Sequence, residues 1–319
     1  MDANLQFWRA EGQSFFQRFL LWADVLNPLL LLKSRDEIKK NKLLLEINEN
    51  TPSDSTQNHQ VFWGAVYTNQ HVHPDKNEII PVLFRPPAFA PISLPLVHIS
   101  SVQLQARQVF FSQFVFHTYN TAFSLVNGNR TAKAEDYLVE EKQVWYSLGA
   151  ITYAACIGAF PLYLMNRYSS KSPVMQLVVK KVMPAPILGL MSAFTTVVVR
   201  SPEFENGIEV MDRNGQVVGV SRKAGEKAVR ETAVSRAVLF GTTLFLPTLL
   251  MPFVERTRLV KTSRVLASVR MMVVTSVLTV MVPVSLSMFS PCGEIKRADL
   301  EPEIQSSTEE TELFYNRGI

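Results

Sequence analysis

Five stretches of this chain, 86–106, 143–166, 182–199, 237–254 and 271–293, run 18 to 24 residues without one Asp, Glu, Lys or Arg. Each is fenced by charge: Arg85 and Arg107, Lys142 and Arg167, Lys181 and Arg200, Arg236 and Glu255, Arg270 and Glu294. A helix rises about 1.5 Å per residue, so about 20 residues match a hydrocarbon core of about 30 Å. The alternative, a large soluble core of buried helices, explains the regular fencing less well. The expected fold is all-α: a polytopic helical membrane protein with about five transmembrane helices. A mean hydropathy of +0.09 hides this because the charges are segregated outside the runs.

Three regions follow. Residues 1–85 form an amphipathic, partly helical N-terminal region, 86–293 a transmembrane helical domain, and 294–319 an acidic C-terminal tail. In the first, Phe7, Trp8, Phe15, Phe16, Phe19, Leu20 and Trp22 make an aromatic face, broken at Asn27-Pro28. Such a helix lies on lipid or packs on the protein's own domain, and both readings stand. Residues 50–60 are polar and turn-rich, a loop. Pro86, Pro87, Pro91 and Pro95 predict a broken entry to the first run. The uncharged stretch 108–129 either spans or lies along the interface, leaving five or six spans, with five favoured. Ala150, Ala154 and Gly158 have the four-residue spacing that lets helix backbones approach in lipid. A small soluble insert, 207–220, reads as a hairpin about Asp212-Arg213-Asn214-Gly215, where Asn-Gly favours a type I′ turn. A helix starts near Ser221 and feeds into the fourth run.

With five spans, the short loops 167–181 and 255–270 share a side with the N-terminus. They hold nine Lys or Arg and one acid, Glu255, which would place the N-terminus in the cytosol-like or matrix-like compartment. The positive excess beside apolar runs suits a lipid bilayer surface and does not suggest nucleic acid. Two cysteines, Cys156 and Cys292, make neither a disulfide framework nor a zinc site. His71, His73 and Asp75 supply too few local ligands for a metal, and Pro74 makes a turn the simpler explanation. No Gly-rich phosphate loop, nucleophile elbow or HExxH appears, so neither enzyme chemistry nor a cofactor is expected. Hydroxyls do occur within the runs, at Ser192, Thr195, Thr196, Thr242, Thr243, Ser285 and Ser287. They can line a path for a neutral or zwitterionic solute, but more commonly bond back to helix carbonyls.

Several short motifs, in order and at matching spacing, resemble the sideroflexins over nearly the whole chain. These are His73-Pro74-Asp75, then Arg85 and Pro91; Gly207-Ile208, Val210, Asp212, Gly215, Gly219 and Ser221 through Ser235-Arg236; and the ending Tyr315-Asn316-Arg317-Gly318-Ile319. The resemblance implies a multi-pass protein of the mitochondrial inner membrane. Family members that look like carriers of serine or related small neutral amino acids have Asn-Gln-Ser-Phe-Asn where this chain reads Asn120-Thr121-Ala122-Phe123-Ser124. They also have two Asn and a Pro where it reads Ser192, Thr195 and Val197, and a Thr in place of Lys76. Losing the amides removes paired donors and acceptors suited to a zwitterion, and losing the Pro removes a helix break that would free backbone groups. Asn120, Ser124, Ser192 and Thr195 are then at most a residual solute path. These departures resemble a divergent branch of the family. That likeness implies a scaffold or assembly factor for respiratory complex I, with assembly intermediates or other assembly factors as partners and a link to iron homeostasis. The expected contact surfaces are the aromatic N-terminal helix, the 207–236 insert and the acidic tail.

Overall fold

The computed structural model describes residues 8–9, 11–48, 71–72, 79–102, 105–129, 137–168, 172–256 and 262–319. The predicted loop at 50–60 and the motif residues His73, Pro74 and Asp75 lie outside them. Helix α1 spans Phe15–Val25, opened by a capping box in which Ser14 and Gln17 bond reciprocally. It stops where expected: Asn27 accepts from the Leu29 N–H and Pro28 opens a 3₁₀ turn, Pro28–Leu32. Helix α2 is Arg35–Asn48.

The bundle is built from α3 (Phe89–Val102), α4 (Ala106–Asn127) and α5 (Tyr137–Arg167). It continues through α6 (Pro173–Leu177), a π-helical turn at Val178–Val182, and α7 (Pro184–Val199). Short α8 (Ser201–Asn206) precedes the insert; α9 (Arg222–Arg256) and α10 (Ser263–Ser287) complete the bundle. Among the described residues, five segments are long and apolar enough to cross a bilayer: Phe15–Leu32, Glu141–Arg167, Pro173–Val199, Arg222–Arg256 and Val265–Ser287. The last four carry the predicted runs 143–166, 182–199, 237–254 and 271–293. Helices α7 and α9 approach closely, so that a Cβ on Gly189 would stand 2.7 Å from the Ala237 carbonyl and 3.1 Å from the Gly241 Cα. Small residues therefore set this spacing, as lipid-embedded packing requires.

The predicted first run, 86–106, is shorter as a helix than its lack of charge suggests. Helix α3 has 14 residues with Pro95 inside, about 21 Å, and packs beside α4. Helix α4 runs the length of α5. Val109 clusters with Ala159 and Leu162 near the end of α5, while the opposite end of α4 meets the C-terminal tail. The stretch 108–129 is thus a crossing-length segment, which hydropathy alone does not reveal.

That pairing brings the N-terminal region to the end of the bundle opposite loops 167–181 and 255–270, a correction to the five-span reading that put them together. The Arg9 Nη1 donates to the Arg213 carbonyl at 2.7 Å, and the Arg18 Nε to the Ser287 carbonyl at 2.9 Å. We call this the sheet end, and the other the far end. Both ends of Phe15–Leu32 lie here: Arg18 sits against the close of α10, and Pro28–Leu32 packs on Pro86–Ala88, beside the Phe84 carbonyl that accepts from Asn127. The segment dips along the bundle edge, with Trp8 and Trp22 buried ring against ring at 5.0 Å and Phe15, Phe16 and Leu20 exposed. Its aromatic residues therefore divide between two faces.

The insert and the tail, expected as separate pieces, form one antiparallel sheet. Its strands are β1 (Ile208–Met211), β2 (Val217–Ser221), β3 (Cys292–Lys296) and β4 (Glu312–Asn316), in the order β2-β1-β4-β3. Short helix α11 (Pro302–Ser307) crosses over it. Only part of the acidic tail is therefore free surface. The hairpin turn also differs from type I′. Gly215 N–H closes onto the Asp212 carbonyl, leaving Arg213 and Asn214 central and Gly215 after them at φ +77°. Asp212 accounts for the change, since its carboxylate accepts from the N–H groups of Asn214 and Gln216.

Candidate functional site

One face of α4 carries Gln113, His117, Asn120, Ser124 and Asn127, spaced four, three, four and three residues apart, all buried. Charge-free sequence and helical spacing thus place a polar seam where a coiled coil would place an apolar one. The small face of α5 meets it: a Cβ on Gly158 would touch the Gln113 side chain at 3.1 Å, and Ala150 and Ala154 are buried nearby along the helix. Helix α7, which also packs on α4, contributes Ser192, Thr195 and Thr196. All four proposed path residues, Asn120, Ser124, Ser192 and Thr195, are therefore buried on packed helices.

Much of the seam's bonding stays within its own helices. Thr195 and Thr196 both donate to the Ser192 carbonyl, at 3.1 and 2.8 Å, and Asn120 donates to the Phe116 carbonyl at 2.9 Å. Thr242 and Thr243 on α9 likewise bond back within one turn. On α4, α5 and α7, buried polar atoms without a partner among the described residues include both His117 ring nitrogens, Asn120 Oδ1, Thr121 Oγ1, Ser147 Oγ and Ser192 Oγ. Unpartnered buried polar atoms mark places where a water or small polar molecule is accommodated.

At the sheet end the seam is closed by the chain's own C-terminus. Arg200, at the end of α7, is 2% exposed and binds Glu203 by two contacts, Nε to Oε1 at 2.5 Å and Nη2 to Oε2 at 2.7 Å. Its remaining donors reach Thr232 Oγ1 at 2.8 Å and the Arg317 carbonyl at 2.6 Å. Asn129 donates to Glu203 Oε2 and to the Asn316 carbonyl, and the Ile319 N–H reaches the Asn127 carbonyl at 3.4 Å. The buried carboxylate and guanidinium have both charge and hydrogen bonds satisfied, the condition under which such a pair is tolerated. Gly318 is required: its φ is +70°, and a Cβ would lie 2.8 Å from Arg200 Nη2.

Two further buried guanidiniums flank this clamp. Arg317 donates to the Leu286 carbonyl at 3.1 Å, and burial, partly opposed by Glu231, lowers its pKa to about 10. Arg236 lies 4.5 Å from the Phe89 ring centroid and 5.2 Å from that of Phe123, a cation held by aromatic faces. Tyr315 sits over Gly293, where a Cβ would meet its ring at 2.2 Å, and donates to Glu231 at 3.4 Å. Of the remaining motif positions, Arg85 is buried and donates from Nε to the Ile80 carbonyl, beside His71. Asp212 and Gly215 shape the hairpin, and Asn316 accepts from the Gly318 N–H.

Sequence reading missed Arg200, Glu203, Thr232 and Arg236 as site residues, taking the two arginines as fences. The signal available was Arg200 and Glu203 three apart, with Pro202 setting a helix start. Beside the clamp, a cavity of about 660 Å³ opens between Trp8–Arg18, β3, β4 and Lys227. Cys292 lines it with a thiol that burial pushes up to about 12, so it is an unreactive small side chain there. Among the described residues no group of three or more His, Cys, Asp or Glu is placed to share a metal.

A helical bundle with membrane-length apolar segments, a polar seam and a tail-locked end defines a polytopic membrane protein. The chain belongs to the sideroflexin family, whose model matches residues 2–319. It is similar to Sideroflexin-4 of Danio rerio, 42% identical over 321 residues covering all of both chains. It is also similar to Sideroflexin-4 of Homo sapiens, 36% identical over 323 residues, all of this chain and 93% of that one. To Sideroflexin-5 of Homo sapiens the identity is 29% over 316 residues, 98% of this chain and 91% of that one. No solved structure matches.

Proposed function

We propose that this protein, in the mitochondrial inner membrane, supports assembly of respiratory complex I as a scaffold or assembly factor, without enzyme chemistry of its own. Its partners are assembly intermediates or other assembly factors, met at the sheet end. The likeness to the divergent family branch implies this role and its link to iron homeostasis. The observation that carries the reading is the sealed seam: its threonines bond to their own helices, and the Arg200–Glu203 clamp holds the C-terminus across its end. A scaffold needs exposed surface and no passage. Removing the protein from cells is expected to deplete assembled complex I while sparing serine-derived one-carbon flux, and co-purification in mild detergent should recover complex I subunits or assembly factors. Flux falling first, with complex I following, would overturn this.

A second reading, a carrier for serine or another small neutral amino acid, is favoured by one observation. Unpartnered buried atoms of His117, Asn120 and Thr121 on α4, and of Ser192 on α7, which packs on α4, could receive a polar solute. Saturable uptake by the purified protein would establish it.

A further inference from the structure

The far end carries cations differently from the rest of the molecule. Arg167 closes α5, Arg256 closes α9, and Lys180 and Lys181 project from the π-helical turn. All four are exposed, and none makes a side-chain hydrogen bond or ion pair among the described residues. The turn packs between α5 and α9, and the Lys181 carbonyl accepts from Thr248, two turns short of Arg256 on α9. The Lys181 backbone thus lies about 12 Å along α9 from its end, and both lysines fall inside the membrane-length segment Pro173–Val199 and not in a loop. Leu177, Val182, Met183 and Phe253 are exposed around them.

Positive-inside bias asks only for basic residues in short loops; it does not explain two lysines set into a helical, membrane-length segment. From such a position the long lysine side chains reach toward the headgroup layer, where an anionic group meets them most favourably. A phospholipid supplies both halves: phosphate oxygens for the cations, and acyl chains for the exposed apolar side chains. The π turn, a form common at functional sites, is what presents the pair. We propose that Lys180 and Lys181, flanked by Arg167 and Arg256, bind the phosphate group of an anionic phospholipid at the far end.

The test uses the full-length protein in nanodiscs of phosphatidylcholine, alone or doped with phosphatidylglycerol. Retained lipid is read by native mass spectrometry and stability by thermal unfolding. Wild type should enrich phosphatidylglycerol and unfold at a higher temperature with it, and added salt should shrink the gain. Lys180→Gln/Lys181→Gln should lower the enrichment by about fivefold per cation removed. Lys142→Gln/Arg222→Gln, at the sheet end, should keep it, and Lys180→Arg/Lys181→Arg should keep most of it, separating charge loss from misfolding. No enrichment in wild type, or full enrichment in the Gln pair, overturns the proposal. So does equal stabilisation by soluble glycerol phosphate, which would mark a free-phosphate site instead.

Discussion

The two ends of the bundle handle charge in opposite ways. At the sheet end three guanidiniums, Arg200, Arg236 and Arg317, are buried, and Arg200 has a carboxylate, a hydroxyl and a backbone carbonyl around it. At the far end Arg167, Lys180, Lys181 and Arg256 are exposed and unpaired among the described residues. Buried paired charge fixes a unique geometry because either partner alone is costly, whereas exposed charge fixes nothing within the protein. The sheet end is therefore built to hold one conformation, and the far end to meet something outside it.

The largest expected effect comes from breaking the clamp. Arg200→Ala strands the buried Glu203 carboxylate and should cost about 3–5 kcal/mol, read as a lowered unfolding midpoint in detergent. Lys180→Ala should change the same midpoint by less than about 0.5 kcal/mol in zwitterionic detergent. Equal losses would erase the contrast between the ends. Next is Gly293→Ala, whose Cβ would enter the Tyr315 ring; displacing β4 should cost about 1–3 kcal/mol by denaturant titration. Smaller still, Ser192→Ala removes an unpartnered buried hydroxyl and should leave stability unchanged or raise it by about 1 kcal/mol. A clear loss would mean that water or a solute occupies the seam.

A separate test is the pH dependence. Burial, then Arg85, lowers the pKa of His71 to about 4, from 6.5 in an open chain. The unfolded chain takes up this proton first, so the group's contribution is complete above pH 6.5, declines as pH falls toward 4, and is level below. His71→Gln should flatten that segment of the stability profile; an unchanged slope would assign it elsewhere.

Legibility followed the range of the interactions. Runs 143–166, 182–199, 237–254 and 271–293 were readable because lipid demands long charge-free helices, and the break at Asn27-Pro28 because Pro cannot continue a turn. Helix α4 was ambiguous because its polar face points into protein, so its hydropathy understates its depth. The sheet was half legible: β1 and β2 are joined by a local turn, but β1 pairs with β4 about a hundred residues on, and such pairing leaves no local mark. Asn120, Ser124, Ser192 and Thr195 were singled out by the resemblance, as positions near or at departures from the carrier-like pattern, and all four are buried. The clamp was not legible, because Arg200 and Arg236 look in sequence like ordinary membrane-edge charges, and the groups around them, Thr232 and the Arg317 carbonyl for Arg200 and the Phe89 and Phe123 rings for Arg236, come from distant parts of the chain.

The proposed scaffold has a shut seam and acts through contacts at its sheet end. The most direct measurement is uptake of labelled serine by liposomes containing the purified full-length chain. A shut seam gives no saturable uptake above protein-free vesicles; robust, saturable uptake would show it open.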